Sequence, residues 1–295
     1  MRVSDLGEFG LLAQLARRGL VEEIGDDTTV LGDGVVVTQD ALVEGVHFRL
    51  DWISWRNLGY KAAAVNLSDL AAAGAEPEAL LVSLGLPPET EAERVFELYK
   101  GLNDTQVPVR GGDTTQSDRV YLSVTAIGRS LRVPGRAGAR AGDVLVVTGP
   151  LGGSAAGLAA LERGLSGFDE LVRMHDRPPF RLDAARVLAP VAHALIDLSD
   201  GIASDALRIA ERSGCALEIE VERLPLARRL DEVGPDPFWA MGEDYELLAA
   251  LSPDDASPSG FPVVGRCVEG SGVRLLLRGE PLEVSGWDHF RPRGV

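Results

Sequence analysis

Along this chain, short β-branched apolar runs break off at acids and alternate with longer stretches of helical period. The clearest run is Val35-Val36-Val37-Thr38-Gln39-Asp40. Three valines favour a pleated, buried strand, and the strand is expected to stop at Asp40, with His47 seven residues further on. The same device recurs at 107–110, which leads into Gly111-Gly112-Asp113, at 191–196, which leads into Asp197-Leu198-Ser199-Asp200, and in Glu243-Asp244 before the apolar residues from Leu247. Between these runs the period changes to 3.6. Residues 9–17 read as a helix closed by Gly19. Residues 55–73 read as a second helix, capped by Ser54, with Leu58, Ala62, Val65 and Leu70 on its apolar side and Gly74 at its end. Further strands are expected at 79–86, 119–127 and 144–147, and further helices at 89–103 and 202–212.

This alternation predicts an α/β (α+β) chain of two domains, because 295 residues suffice for about two cores. The stretch 132–143 turns to Gly, Pro, Ala and Arg, which places the boundary at residues 1–138 and 139–295. After 144–147 the glycine-rich turn Thr148-Gly149-Pro150-Leu151-Gly152-Gly153-Ser154 enters a helix. It lacks the Lys-Ser/Thr of a Walker loop and does not match G-x-G-x-x-G, so a tight turn and a phosphate loop are both open readings.

Composition narrows the function. The apolar fraction of 45% and charged fraction of 25% are those of an ordinary globular protein. No apolar run approaches the roughly 20 residues of a membrane helix, and the first nine residues have no apolar export signal, so a cytoplasmic protein is expected. Cys215 and Cys267 have no metal-binding or disulfide spacing. A net charge of −16 argues against a nucleic-acid partner. Solubility accounts for acidic surfaces, but not for acids placed at strand ends beside glycines.

Asp27, Asp40, Asp69, Asp113, Asp197 and Asp200 have few lysines to pair with, since Lys61 and Lys100 are the only two in the chain. Asn66 and Asp69 share one helix face beside the small residues Ala71–Ala75, where another backbone can approach closely. Carboxylates that converge raise one another's pKa and call for cations. An all-oxygen donor set suits Mg2+ or Mn2+ better than zinc, and Mg2+ held by a few carboxylates commonly bridges to nucleotide phosphates. Nucleotide-dependent phosphoryl transfer is therefore the leading chemistry, with Arg136, Arg177 and Arg181 as candidate phosphate clamps.

Taken in order, Gly25-Asp26-Asp27, Asp40 with Gly45-Val46-His47-Phe48, Asn66-Leu67-Ser68-Asp69, Gly111-Gly112-Asp113-Thr114, Gly135-Arg136-Ala137, Asp197-Leu198-Ser199-Asp200-Gly201, Gly242-Glu243-Asp244-Tyr245-Glu246-Leu247 and Trp287-Asp288-His289-Phe290 cover nearly the whole chain. Together they resemble the thiamine-monophosphate kinase family. The resemblance implies that ATP and thiamine monophosphate give ADP and thiamine diphosphate. It implies a synthetase-like fold, shared with aminoimidazole ribonucleotide synthetase, whose N-terminal domains pair into a β-barrel across a homodimer. It assigns Asp27, Thr38, Gln39, Asp40, Asp69, Asp113, Asp197 and Asp200 to several Mg2+ ions. Tyr99, Gly112, Asp113, Arg136 and Ser199 go to ATP, and His47, Glu243 and Trp287 to thiamine monophosphate. Gln39 and Ala41 depart from the family pattern, which has hydroxyl residues there, and Phe180 replaces a usual proline.

The nearest rivals are other ATP-dependent members of that superfamily. Selenophosphate synthetase calls for a reactive residue near the N-terminus, and the hydrogenase-maturation dehydratase for a terminal cysteine where this sequence reads Arg293-Gly294-Val295. A metal-dependent nucleotide-binding protein without turnover is the rival from another class.

Overall fold

The computed structural model describes residues 2–22 and 25–282. A kinked helix α1 (Val3–Arg17) precedes β1 (Thr29–Val30), β2 (Val35–Val43), α2 (Trp55–Ala72), β3 (Glu76–Leu86), α3 (Ala92–Asn103), β4 (Val109–Gln116) and β5 (Tyr121–Arg129). These strands make one sheet in the order β1, β2, β5, β3, β4, antiparallel except for the parallel pair β3 and β4.

Helix α2 organises this half. Ser54 caps it by accepting a hydrogen bond from the Asn57 backbone amide at 3.2 Å. Leu58, Ala62, Leu67 and Leu70 pack against Val36, Leu42, Val82, Leu122 and Val124 of the sheet. Each fully buried Leu contributes about 2 kcal/mol from apolar area alone. Helix α3 crosses α2 at van der Waals contact through two glycines. A Cβ on Gly59 would stand 1.9 Å from the Leu98 carbonyl oxygen, and one on Gly101 would stand 1.8 Å from that of Arg56. The other face of the sheet, carrying Gln39, Ala41 and Leu81, is open in the single chain.

Two strands run further than their sequence suggests. Asp40 does not end β2, which continues to Val43, so Asp40 pairs with Val124 in mid-strand. β4 does not stop at the glycines. Its main chain passes through Gly111-Gly112-Asp113 in parallel register with Leu81, Val82 and Ser83. Gly112 makes this possible with φ of 146° and its α-carbon over the Val82 backbone, where a Cβ would lie 1.8 Å from the carbonyl oxygen.

The second half contains β6 (Val144–Val147), α4 (Gly153–Glu162), α5 (Asp169–Asp176), α6 (Leu182–Leu188), β7 (Ala194–Asp197), α7 (Ile202–Ser213), β8 (Ala216–Glu220), α8 (Leu230–Val233), β9 (Leu247–Leu251), α9 (Pro253–Ser259), β10 (Val263–Val268), β11 (Gly272–Leu277) and β12 (Glu280–Leu282). The strands form a seven-stranded sheet in the order β12, β11, β8, β10, β6, β9, β7. The small-residue end of α2 docks on it, since Ala71 and Ala72 share a core with Val146, Leu195, Leu247, Ala249 and Leu188. That contact sets α2 against both halves, with β7 delivering Asp197 to its side. Among the described residues, no helix is long and apolar enough to cross a membrane.

Candidate active site

Three segments far apart in sequence deliver carboxylates to one point. Ligand oxygens of Asp27, Asp69 and Asp197 all lie within 4.8 Å of one another. Asp27 comes from the turn before β1, Asp69 from α2, and Asp197 from the last position of β7. Thr38 joins them because strand alternation turns it toward α2. Its hydroxyl donates to Asp69 Oδ2 at 2.6 Å and lies 3.1 Å from the Asp27 carbonyl oxygen. The Ser68 hydroxyl donates to Asp197 Oδ2 at 2.7 Å. Asp40 lies on the same face of β2 as Thr38, and its backbone amide donates to Asn66 Oδ1 at 3.0 Å.

The electrostatics match the crowding. Burial pushes Asp69 well above the usual carboxylate range, and the charges of Asp40, Asp197 and Asp27 add to it. Burial and the Asp27 charge push Asp197 up to about 8. Asp27 is also raised by burial, opposed by the Arg136 guanidinium, with which it forms an ion pair. Buried acids that raise one another in this way are short of positive charge even with Arg136 and Arg208 nearby. The all-oxygen donor set, with a threonine hydroxyl beside it, fits a hard divalent ion such as Mg2+.

The remaining expected residues are distributed as follows. The Gln39 side chain turns to the opposite face of β2, where Nε2 donates to the Ser123 hydroxyl at 2.8 Å and Oε1 accepts from the Thr125 hydroxyl at 3.2 Å. Asp200, three residues beyond Asp197, accepts from Arg208 at 2.6 Å. The buried Asp205 carboxylate accepts from the Asp200 and Gly201 amides and shapes that turn. The Ser199 carbonyl accepts from the Glu243 amide at 2.8 Å. Asp113 sits on exposed edge strand β4, opposite Ser83, which pairs with Ser123, which pairs with Ala41. Three strand spacings therefore separate β4 from β2, about 14 Å. Tyr99 is on α3 and packs partly against the N-terminal core. Trp287 lies outside the described residues.

His47 and Glu243 face a common region. His47 Nδ1 accepts from the Val43 amide at 3.0 Å. Burial works to raise Glu243, but the Lys61 charge leads the effects that outweigh it and hold the carboxyl below its ordinary value. Lys61 Nζ lies 3.2 Å from Glu243 Oε2, and His175 Nδ1 lies 3.3 Å from the same oxygen. Helical period marks Lys61 as an ordinary position of α2; a lysine in an otherwise apolar turn, in a chain with one other lysine, is the signal that singles it out.

The glycine-rich turn is settled by its partner. Asp244 Oδ2 accepts from the Gly152 amide at 2.8 Å at the start of α4, so a side chain of the protein itself already occupies that helix N-terminus. Arg181 pairs with buried Glu246, and Arg177 pairs with Asp104 at 3.1 Å and lies over the Tyr60 ring.

Comparison with known proteins gives the family. Residues 25–130 match the family model of the AIR synthase related protein N-terminal domain, and residues 140–259 match that of its C-terminal domain. The chain is 36% identical over 309 residues to the thiamine-monophosphate kinase of Aquifex aeolicus, covering 98% of this chain and 100% of the relative. It is 37% identical over 313 residues to that of Mycobacterium tuberculosis, covering 98% and 93%. A solved structure described as AaThiL complexed with AMPPCP and TMP superposes with a TM-score of 0.91 at 36% identity, covering 98% of this chain and 99% of that one. With both family models matched and with relatives at 36–37% identity aligned over 98% of its length, this chain belongs to the thiamine-monophosphate kinase family of AIR synthase related proteins.

Proposed function

We propose that this protein phosphorylates thiamine monophosphate with ATP, giving ADP and thiamine diphosphate. The observation that carries the reading is the meeting of Asp27, Asp69 and Asp197 within 4.8 Å, each from a different part of the chain. Asp27, Asp40, Asp69 and Asp197, with Thr38, would hold Mg2+, which neutralises phosphate charge when bound. Asp200, Asp113 and Gln39 are assigned to the same group of ions by resemblance, although the Gln39 side chain lies on the opposite face of β2. Gly112, Arg136, Ser199 and Tyr99 are assigned to ATP, and His47, Glu243 and Trp287 to the acceptor.

The transfer is direct. An oxygen of the acceptor's phosphate attacks the γ-phosphorus in line, the bond from the γ-phosphorus to the bridging oxygen breaks, and ADP leaves with that oxygen. A phosphate monoester is largely ionised at neutral pH, so no strong general base is required. The residues of the chain bind and orient, which makes catalysis a matter of positioning and electrostatic stabilisation. Glu243, held ionised, suits the cationic acceptor.

Two copies would pair through the N-terminal sheet, closing a β-barrel. The open face bearing Gln39, Ala41 and Leu81, and the exposed edge β4 that carries Asp113, support this arrangement. We place the domain division near residue 138 and the protein in the cytoplasm.

The test is a product assay. Purified protein with ATP, Mg2+ and thiamine monophosphate is expected to form thiamine diphosphate at one equivalent per ADP. ATP binding without that product would overturn the proposal in favour of a nucleotide-binding protein.

A further inference from the structure

Lys61 is 1% exposed, on the part of α2 that faces the second domain. An ammonium removed from water costs several kcal/mol unless it is paired, and a leucine there would continue the apolar face. Its partner is Glu243, which the second domain contributes. The ion pair therefore bridges the two halves of the chain beside the acidic cluster, seven residues along α2 from the Ser68 that bonds Asp197.

Glu243 is held with unusual care. It adopts φ of 57° and Tyr245 adopts 51°, left-handed conformations that cost non-glycine residues energy and persist only where the surroundings impose them. The Glu243 amide donates to the Ser199 carbonyl at 2.8 Å, and the Tyr245 amide to the Leu198 carbonyl at 2.9 Å. The loop is thereby tied to the turn that follows Asp197. Its three acids have separate tasks. Asp244 fills the start of α4, and Glu246, 1% exposed, holds Arg181 and accepts from the Thr148 hydroxyl at 2.7 Å. Of the three, Glu243 alone keeps a third of its side chain in contact with solvent, at 33% exposure. Lys61 and His175 hold it from behind. Burial and the Lys61 charge push His175 down to about 3, so the ring is neutral at physiological pH and Lys61 supplies the cation.

We infer that Lys61 is a positioning residue for the acceptor, anchoring Glu243 from across the domain junction so that the free edge of its carboxylate meets the cationic ring system of the acceptor. This rests on the reading of Glu243 as an acceptor contact. Lys61 touches no substrate. It orients Glu243 and makes acceptor binding depend on the two domains being docked.

The experiment is a double-mutant cycle with Lys61→Met and Glu243→Gln, reading KM for thiamine monophosphate, KM for ATP and kcat. Methionine matches the aliphatic stem of lysine, lacks the ammonium and tolerates burial. Lys61→Met is expected to raise KM for thiamine monophosphate at least tenfold while moving KM for ATP by less than twofold. In the Glu243→Gln background the same substitution is expected to add less than twofold. Lys61→Gln, which keeps a donor for Glu243, is expected to recover part of the lost affinity and serves as the second variant if methionine is not accommodated. An unchanged acceptor KM in Lys61→Met, or effects that multiply in the double variant, would overturn the inference while leaving the kinase reading standing. A wild-type protein that forms no thiamine diphosphate would overturn both.

Discussion

Replacing Asp197 with asparagine exposes the central tension of the site, because the group that binds metal also weakens the metal-free fold. Asp197 is 1% exposed, and its oxygens lie within 4.8 Å of those of Asp27 and Asp69. Two unit charges at that separation repel by about 3.5 kcal/mol at an effective dielectric of about 20. Burial of the charge costs more still, and proton uptake relieves both, which is why Asp197 rises to about 8 from an unfolded value of 3.8. Holding that proton at pH 7 costs about 4 kcal/mol, at 1.36 kcal/mol per unit between 3.8 and 7. Asparagine keeps the volume and the acceptor for Ser68 without that cost. In chelator at pH 7, Asp197→Asn is expected to be more stable than wild type by about 2–4 kcal/mol, raising Tm by roughly 5–10 °C.

The sign sets the pH dependence. Below about pH 4 the carboxyl is protonated in both the folded and unfolded states, so wild type and variant should coincide. As pH rises from 4 toward 8 the unfolded state ionises first and wild-type stability falls relative to the variant, with the gap levelling above 8. Mg2+ should stabilise wild type much more than the variant, and turnover of the variant should fall at least 100-fold. Thermal unfolding at several pH values, with chelator and with Mg2+, checks each part. A variant that melts below wild type in chelator at pH 7, or a gap independent of pH between 4 and 8, would refute the shared repulsive pocket.

Gly59→Ala forces α2 and α3 apart against the Leu98 carbonyl, and is expected to cost on the order of 3 kcal/mol in a urea titration. Arg181→Ala leaves the buried Glu246 carboxylate with the Thr148 hydroxyl as its donor and, among the described residues, no cation beside it to replace the guanidinium. A loss of about 2–4 kcal/mol is expected by the same titration. Asp113→Asn, on exposed strand β4, should leave Tm within about 2 °C while reducing turnover at least tenfold. Near-normal rates would remove Asp113 from the site.

Local pattern already contained much of this protein. The valine run, the Ser54 cap, the closing Gly74 and the small residues at the end of α2 specify their elements by short-range rules, and the elements formed there, with β2 running three residues past its expected end at Asp40. The proposed chemistry starts from the same local reading, because acids after apolar runs, in a chain with two lysines, suggest oxygen ligands for a hard cation.

What depended on partners distant in sequence was decided by the tertiary structure. β4 continues through two glycines because β3 lies alongside it, and adjacent Thr38 and Gln39 part company because pleating sends one to Asp69 and the other to Ser123. The start of α4 resembles a phosphate loop until Asp244, about ninety residues later, occupies it. Lys61 reads as one more helical position until docking of the second domain brings Glu243 to its ammonium, and that contact has no signature in the spacing of either residue. Periodicity reports which face of an element is apolar; which charges meet across two domains is fixed only when their cores pack together.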